Sequence, residues 1–143
     1  MPALNAYYRN LIKYKYQLTE PYTIQIGLRP MDDIDTSFVK LTKNGELTLI
    51  RYYAWDGATF PCPDFRSVMR GALVHDGLYQ LMRLGKLDYR VHRKEADDIL
   101  RTFCLSDGMA SWVAWIIYKA VRWFAVGAAK SHEKPEDQIH AIP

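Results

Sequence analysis

"GALVHDGLYQLMRLGKLDYRVHRKEADDILRTF", residues 71–103, decides how the chain is read. Apolar residues recur at helical spacing on both sides of Gly85: Val74, Leu78, Leu81 and Met82 before it, Ala96, Ile99, Leu100 and Phe103 after it. That period predicts two helices, over about 67–84 and 93–105, with Gly85 as a C-cap and "KLDYRVH" as the connection. So short a link brings the second helix back antiparallel to the first.

Three ionisable groups sit in this hairpin. At about 100° per residue, His75, Asp76, Tyr79 and Arg83 share one face of the first helix, across from Val74, Leu78 and Leu81. His75 and Tyr79 are one turn apart. Asp97 flanks the apolar stripe of the second helix, so antiparallel packing can turn it toward His75, while Asp98 points outward. A histidine with a carboxylate behind it is the arrangement of a general base: the carboxylate holds the tautomer and stabilises the charged ring, and the other nitrogen takes a proton from water. Asp76 is then left for a hard cation. Calcium takes a mixture of carboxylate and backbone oxygens, which the loop at Asp56-Gly57-Ala58 can supply. The same residues also read as a satisfied polar cluster. The pair His-Asp is common, and a buried His bonded to Asp and Tyr can simply fix helix register.

The period predicts a third helix over about 109–128, with Met109, Val113, Ile116, Ala120, Trp123 and Phe124 as its core stripe. Another side repeats Ser111, Trp115, Tyr118 and Arg122. Trp115, Tyr118 and Arg122 suit a partner or membrane surface, because aromatic rings and arginine dominate protein contacts and also fit the headgroup layer. Residues 108–129 approach the length of a bilayer span, but Lys119 and Arg122 interrupt them at a cost that lipid makes high, so a transmembrane segment is not expected.

Upstream the period changes to two. "YKYQLTEPYTIQI" alternates as a half-buried strand does, with Pro21 confining its neighbourhood to an edge or a bend. Asn44-Gly45 separates two alternating runs, 38–42 and 47–53, and predicts an antiparallel hairpin on a type I′ turn. Gly57, Pro61 and Pro63 make 55–66 a loop, and Asp64 can cap the helix that follows. The expected fold class is therefore α+β: an N-terminal antiparallel hairpin or small sheet (1–54), a loop, a three-helix half (67–129) and a polar tail (130–143), in one domain of 143 residues.

Composition is that of a folded protein, 49% hydrophobic and 24% charged. The net charge of +3 is too small to imply nucleic acid, and no recognised nucleic-acid motif is present, although it is compatible with an anionic surface. The N-terminal tyrosines Tyr7, Tyr8, Tyr14, Tyr16 and Tyr22, mixed with basic residues, form a second candidate contact surface. Cys62 and Cys104 lack metal-ligand spacing and read as small thiols, with a single bridge between them as the alternative. The N-terminus has no apolar signal core, so residence in a reducing cytoplasm is expected.

"HDGLY" followed by "EADDILRTF" resembles the active-site helices of phospholipase A2-type enzymes, and the shorter viral-capsid versions most of all. The resemblance implies a phospholipase A2-like helical frame. His75 would be the base for water attacking a glycerophospholipid ester, Asp97 and Tyr79 its supports, and Asp76 a calcium ligand with Asp56 and Gly57 in the loop. The loop departs from that family's pattern, which uses several glycines where this chain has Gly57 followed by Pro61 and Pro63. A second resemblance covers more of the chain. "DGATFP", "ALVHDGLY", "EAD" and "YKAVRWF", between Asp56 and Phe124, look like a family of small bacteriophage and prophage proteins of unknown function. Together they imply a phage-encoded hydrolase, or a non-catalytic virion, tail or assembly component with the His/Asp/Tyr cluster as a polar core. The partners implied are other phage structural proteins or host membrane lipid, in the host cytoplasm or the virion, with an oligomer possible. A metal-dependent phosphohydrolase of the H…HD…D kind is disfavoured, since no histidine precedes His75.

Overall fold

The computed structural model describes residue 6 and residues 8–10, 16–55 and 66–130, and the chain divides into a strand unit and a helical unit. The α+β class holds: antiparallel strands come first and helices follow.

In the strand unit, β1 (Tyr8–Asn10), β2 (Tyr16–Leu18) and β7 (Ala54–Trp55) form one antiparallel sheet in the order β1-β2-β7. A second sheet has the order β3-β6-β5-β4, from β3 (Tyr22–Gln25), β4 (Ile34–Asp35), β5 (Val39–Leu41) and β6 (Glu46–Leu49). Its registers pair Tyr22 and Val39 with Leu49, and Ile24 and Leu41 with Leu47, and all six side chains are buried on one face. Period-two burial of this kind stabilises by about 1.5–3 kcal/mol per large side chain.

The Asn44-Gly45 hairpin forms, but on a different turn. Only Gly45 takes a positive φ, of 88°; its amide donates to the Thr42 carbonyl at 2.9 Å, and the Thr42 amide to Glu46 at 3.0 Å. This is a three-residue loop ending in a glycine bulge rather than a type I′ pair. A side chain at Gly45 would collide with the Ile26 carbonyl oxygen.

Of two expected strands, one is split between the sheets and the other is cut short. At Pro21 the chain bends out of β2 and into β3. The run 47–53 ends at Leu49, because Tyr52 adopts φ 73° in a turn closed by the Tyr53 amide on the Ile50 carbonyl at 3.1 Å. The Leu18 amide donates to the Tyr53 carbonyl at 2.8 Å, and the Tyr52 amide donates to the Leu18 carbonyl at 2.9 Å. The buried Gln17 amide group adds a bond to the Tyr52 carbonyl at 3.1 Å. These bonds hold a conformation that costs a non-glycine residue about 1–2 kcal/mol.

The helical unit opens with a 3-10 turn, Arg66–Val68, then α1 (Met69–Arg83), α2 (Tyr89–Ser106), α3 (Ser111–Phe124) and the short α4 (Val126–Ala129). α1 and α2 stop in the same way. Gly85 and Gly108 take φ 74° and 98°, and the two amides that follow each C-cap fold back onto carbonyls of the last turn. Those are Gly85 on Met82 and Lys86 on Leu81, then Gly108 on Leu105 and Met109 on Cys104, the Schellman pattern. α2 starts four residues earlier than the period indicated. Asp88 caps it by accepting the Arg90 amide at 2.9 Å, so Tyr89–His92 are helical and not a connection.

α1 is buried on nearly every side, with only Arg70, Asp76 and Arg83 less than buried. Its contacts with α2 run in opposite chain directions. Arg70 pairs bidentately with Asp107 at 2.9 and 3.1 Å, Gly71 lies against Leu100 and Cys104, and Tyr79 meets Arg93. The helices are therefore antiparallel, as expected. Arg70 also offsets an acid placed at the negative end of α2.

α3 corrects the expected core stripe. Met109, Ala114, Ile117 and Val121 are buried, while Ile116, Trp123 and Phe124 are exposed. Its sequence is apolar on almost every face, so periodicity could not choose, and the smaller side chains face inward. The chain also ends α3 at Phe124 instead of running on to 128. Cys104 is buried; Cys62, and with it the alternative bridge, lies outside the described residues, as do Asp64, Tyr7, Tyr14 and residues 131–143. Among the described residues no helix is long and apolar enough to cross a membrane.

Candidate functional site

Three helices of one unit meet around Asp97. The Asp97 side chain is fully buried, and both oxygens are engaged. Oδ1 accepts from the Tyr79 hydroxyl at 2.6 Å and lies 2.7 Å from His75 Nε2. Oδ2 accepts from the Arg122 guanidinium at 2.8 Å. The rings of His75 and Tyr79 stack one turn apart on α1, with centroids 4.1 Å apart. The sequence-predicted trio of His75, Tyr79 and Asp97 is thus brought together.

Arg93, one turn before Asp97 on α2, closes the network. Its Nε donates to the Tyr79 oxygen at 3.1 Å, and its other nitrogen reaches the carbonyls of Val121 and Arg122 at 2.7 Å each. Those carbonyls belong to the last turn of α3, where helical partners run out and a cation is favourable.

The electrostatics follow from these bonds. Burial alone would raise the Asp97 carboxyl pKa, but the bond to and charge of His75, with the bonds from Tyr79 and Arg122, outweigh it and hold the group below the usual carboxylate range. Burial pushes the Tyr79 phenol far up, and the neighbouring Asp97 charge and hydrogen bond push it further, so Tyr79 stays a neutral donor. An ionised Asp97 has no proton to give. His75 Nε2 must then carry the hydrogen in either state of the ring: the charged ring is the one whose charge favours the Asp97 carboxylate, and the neutral ring has its lone pair on Nδ1. Nδ1 makes no hydrogen bond to a described residue.

The remaining expected site residues divide. Asp76 is half-buried on α1. Asp56 and Gly57 lie outside the described residues. Among the described residues no group of three or more His, Cys, Asp or Glu side chains is placed to hold a metal, and calcium needs about six to eight oxygens. The described residues therefore do not fit calcium by themselves. Of the expected surface trio, Trp115 is exposed, Tyr118 is half-buried with the Arg101 guanidinium over its ring at 5.7 Å, and Arg122 turns to Asp97.

Arg122, as a direct partner of Asp97, and Arg93, as a partner of Tyr79, are the site residues that sequence reasoning missed. Arg122 stood in the quoted "YKAVRWF" and was read as surface. Arg93 had a local signal, because an arginine four residues before a buried acid shares its helix face.

No curated protein and no solved structure matches the chain. A family model described as "Protein of unknown function (DUF1353)" matches residues 38–121, a segment that holds the second sheet's β5 and β6 and every member of this cluster except Arg122. The chain belongs to the DUF1353 family, whose function is unknown.

Proposed function

We propose that the protein is a hydrolase of phospholipid-type esters in which His75 activates water. The observation that carries this reading is the bond between His75 Nε2 and the buried, ionised Asp97 at 2.7 Å, which sets the tautomer with Nδ1 as the basic nitrogen. Nδ1 takes a proton from water as the water oxygen bonds to the ester carbonyl carbon. When the tetrahedral intermediate collapses, the carbon–oxygen bond to the alcohol breaks, and the leaving alkoxide takes that proton back from the imidazolium. Asp97 stabilises the charged ring in between. Tyr79 and Arg122 position Asp97 and hold it ionised, and Arg93 positions Tyr79. No step runs through a metal; calcium enters this proposal only as an added ion, with Asp76, Asp56 and Gly57 as the expected ligands.

The test is release of product from a fluorogenic glycerophospholipid, with and without calcium, for the parent, His75→Gln and Asp97→Asn. The expected result is turnover by the parent and a loss of about a hundredfold or more in His75→Gln, the usual scale for a general base. An inactive parent, or a His75→Gln variant that keeps its rate while folded, overturns the reading.

One set of contacts favours a second reading. Arg122 takes Asp97 Oδ2, and Arg93 ties Tyr79 to the end of α3, as a structural rivet would. On that reading the protein is a non-catalytic virion, tail or assembly component. A phage origin, in the host cytoplasm or the particle, rests in both cases on the resemblance between Asp56 and Phe124. Lysis genes beside its own would favour the first reading, and tail or capsid genes the second.

A further inference from the structure

The outer side of α3 carries a stripe that the site does not use. Trp112 is 68% exposed, Trp115 49%, Ile116 52% and Trp123 73%, with Phe124 at 75% beside the last. At about 100° per residue Trp112, Trp115, Ile116, Lys119 and Trp123 fall on one side of the helix, over about 16 Å of its length. Three indoles and an isoleucine facing water along three turns form an apolar patch that a monomer does not keep without a use.

Charge decides what covers it. Neither α3 nor α4 contains an acidic residue. Lys119 sits within the stripe, its ammonium 5.4 Å from the centre of the Trp115 ring, and Lys130 is exposed just beyond α4. A second copy fits poorly. Two such stripes related by a two-fold axis, parallel or antiparallel, bring Lys119 within about a turn of its own copy, with no carboxylate on either helix to neutralise them. A layer of lipid phosphates supplies the missing anions, and the interface between headgroup and chain is where indole rings and lysine stems are most at home.

We propose that the solvent face of α3 docks on an anionic lipid bilayer, the helix lying in the headgroup plane with Trp112, Trp115 and Trp123 inserted and Lys119 on the phosphates. This goes beyond hydrolysis at His75 and needs no turnover.

The test is sedimentation of the full chain with vesicles of ether-linked phosphatidylcholine, alone or mixed with ether-linked phosphatidylglycerol. Ether lipids carry no acyl ester, so binding is read apart from the hydrolysis proposed at His75. The parent should pellet with the phosphatidylglycerol vesicles, with a blue shift of tryptophan emission, and stay in solution with phosphatidylcholine alone. Trp112→Ser combined with Trp123→Ser, and separately Lys119→Glu, should each weaken partitioning by about tenfold or more, the charge variant most at low salt. All three positions are exposed, so the variants should melt like the parent. Three results overturn the proposal: a parent that stays in solution with phosphatidylglycerol, folded variants that bind like it, or a parent dimer that the serine pair dissociates, which would make the face a protein interface.

Discussion

α1 and α3 are both rich in apolar residues, yet they meet opposite surroundings. α1 is enclosed on almost every side and spends two of its inward positions on His75 and Tyr79. α3 buries Ala114, Ile117 and Val121 and shows water its three tryptophans. Hydrophobic content therefore does not say which helix is central. What separates them is where each side chain finds a partner: His75 and Tyr79 of α1 find theirs inside, at Asp97, whereas the apolar groups of α3 outnumber the places available inside.

Substitutions can break that contrast, the largest first. Asp97→Ala leaves Arg122 facing a cavity and should lower stability by about 3–5 kcal/mol, read as a fall in the urea midpoint at constant slope. Leu78→Ala, at a fully buried position of α1, should cost about 2–5 kcal/mol by the same measurement. A small effect at either position would mean that α1 is not the centre of its unit.

The pH dependence sharpens the comparison. The folded Asp97 carboxyl binds its proton less readily than the unfolded one. Its contribution to stability is therefore present in full above about pH 4 and lost as the pH falls through the depressed folded value. Asp97→Asn should remove that part of the acid limb. Tyr79 is the opposite case: its raised pKa gives stability that is complete below about pH 10 and lost as the pH climbs beyond it. Tyr79→Phe should cost about 1–3 kcal/mol at neutral pH, because a carboxylate loses a donor, and should flatten the alkaline limb. At the far end of the scale, Trp123→Ser on α3 should change stability by no more than about 0.5 kcal/mol. A loss of several kcal/mol there would show that the outer face of α3 carries part of the fold.

The sequence was legible wherever a local rule had one solution. Asn44-Gly45 demanded a reversal, and Gly85 demanded a stop. The spacing of His75 and Tyr79, set against Asp97 on a returning helix, allowed the three to meet. It was not legible where several solutions satisfied the same rule. Alternation continues across Pro21 and past Leu49, so one strand and two look alike until the Tyr52 turn is seen. Residues 89–92 carry no apolar period of their own, and it is the Asp88 cap that draws them into α2. α3 offers apolar residues at every angle, and the choice among them depends on how closely α2 can approach. Arg93 and Arg122 were hidden because arginine is usually a surface residue, and only the neighbouring chain segments show what each one reaches.

In the reduced chain, the buried sulfur of Cys104 has a practical consequence. It lies on α2 beside Gly71 of α1, where a β-carbon would be 3.4 Å from its sulfur. An alkylating reagent can reach it only when the two helices part. Pulsed labelling with peptide-resolved mass readout, which separates this cysteine from Cys62, thus turns the native chain into its own clock for breathing at the helix pair that holds His75.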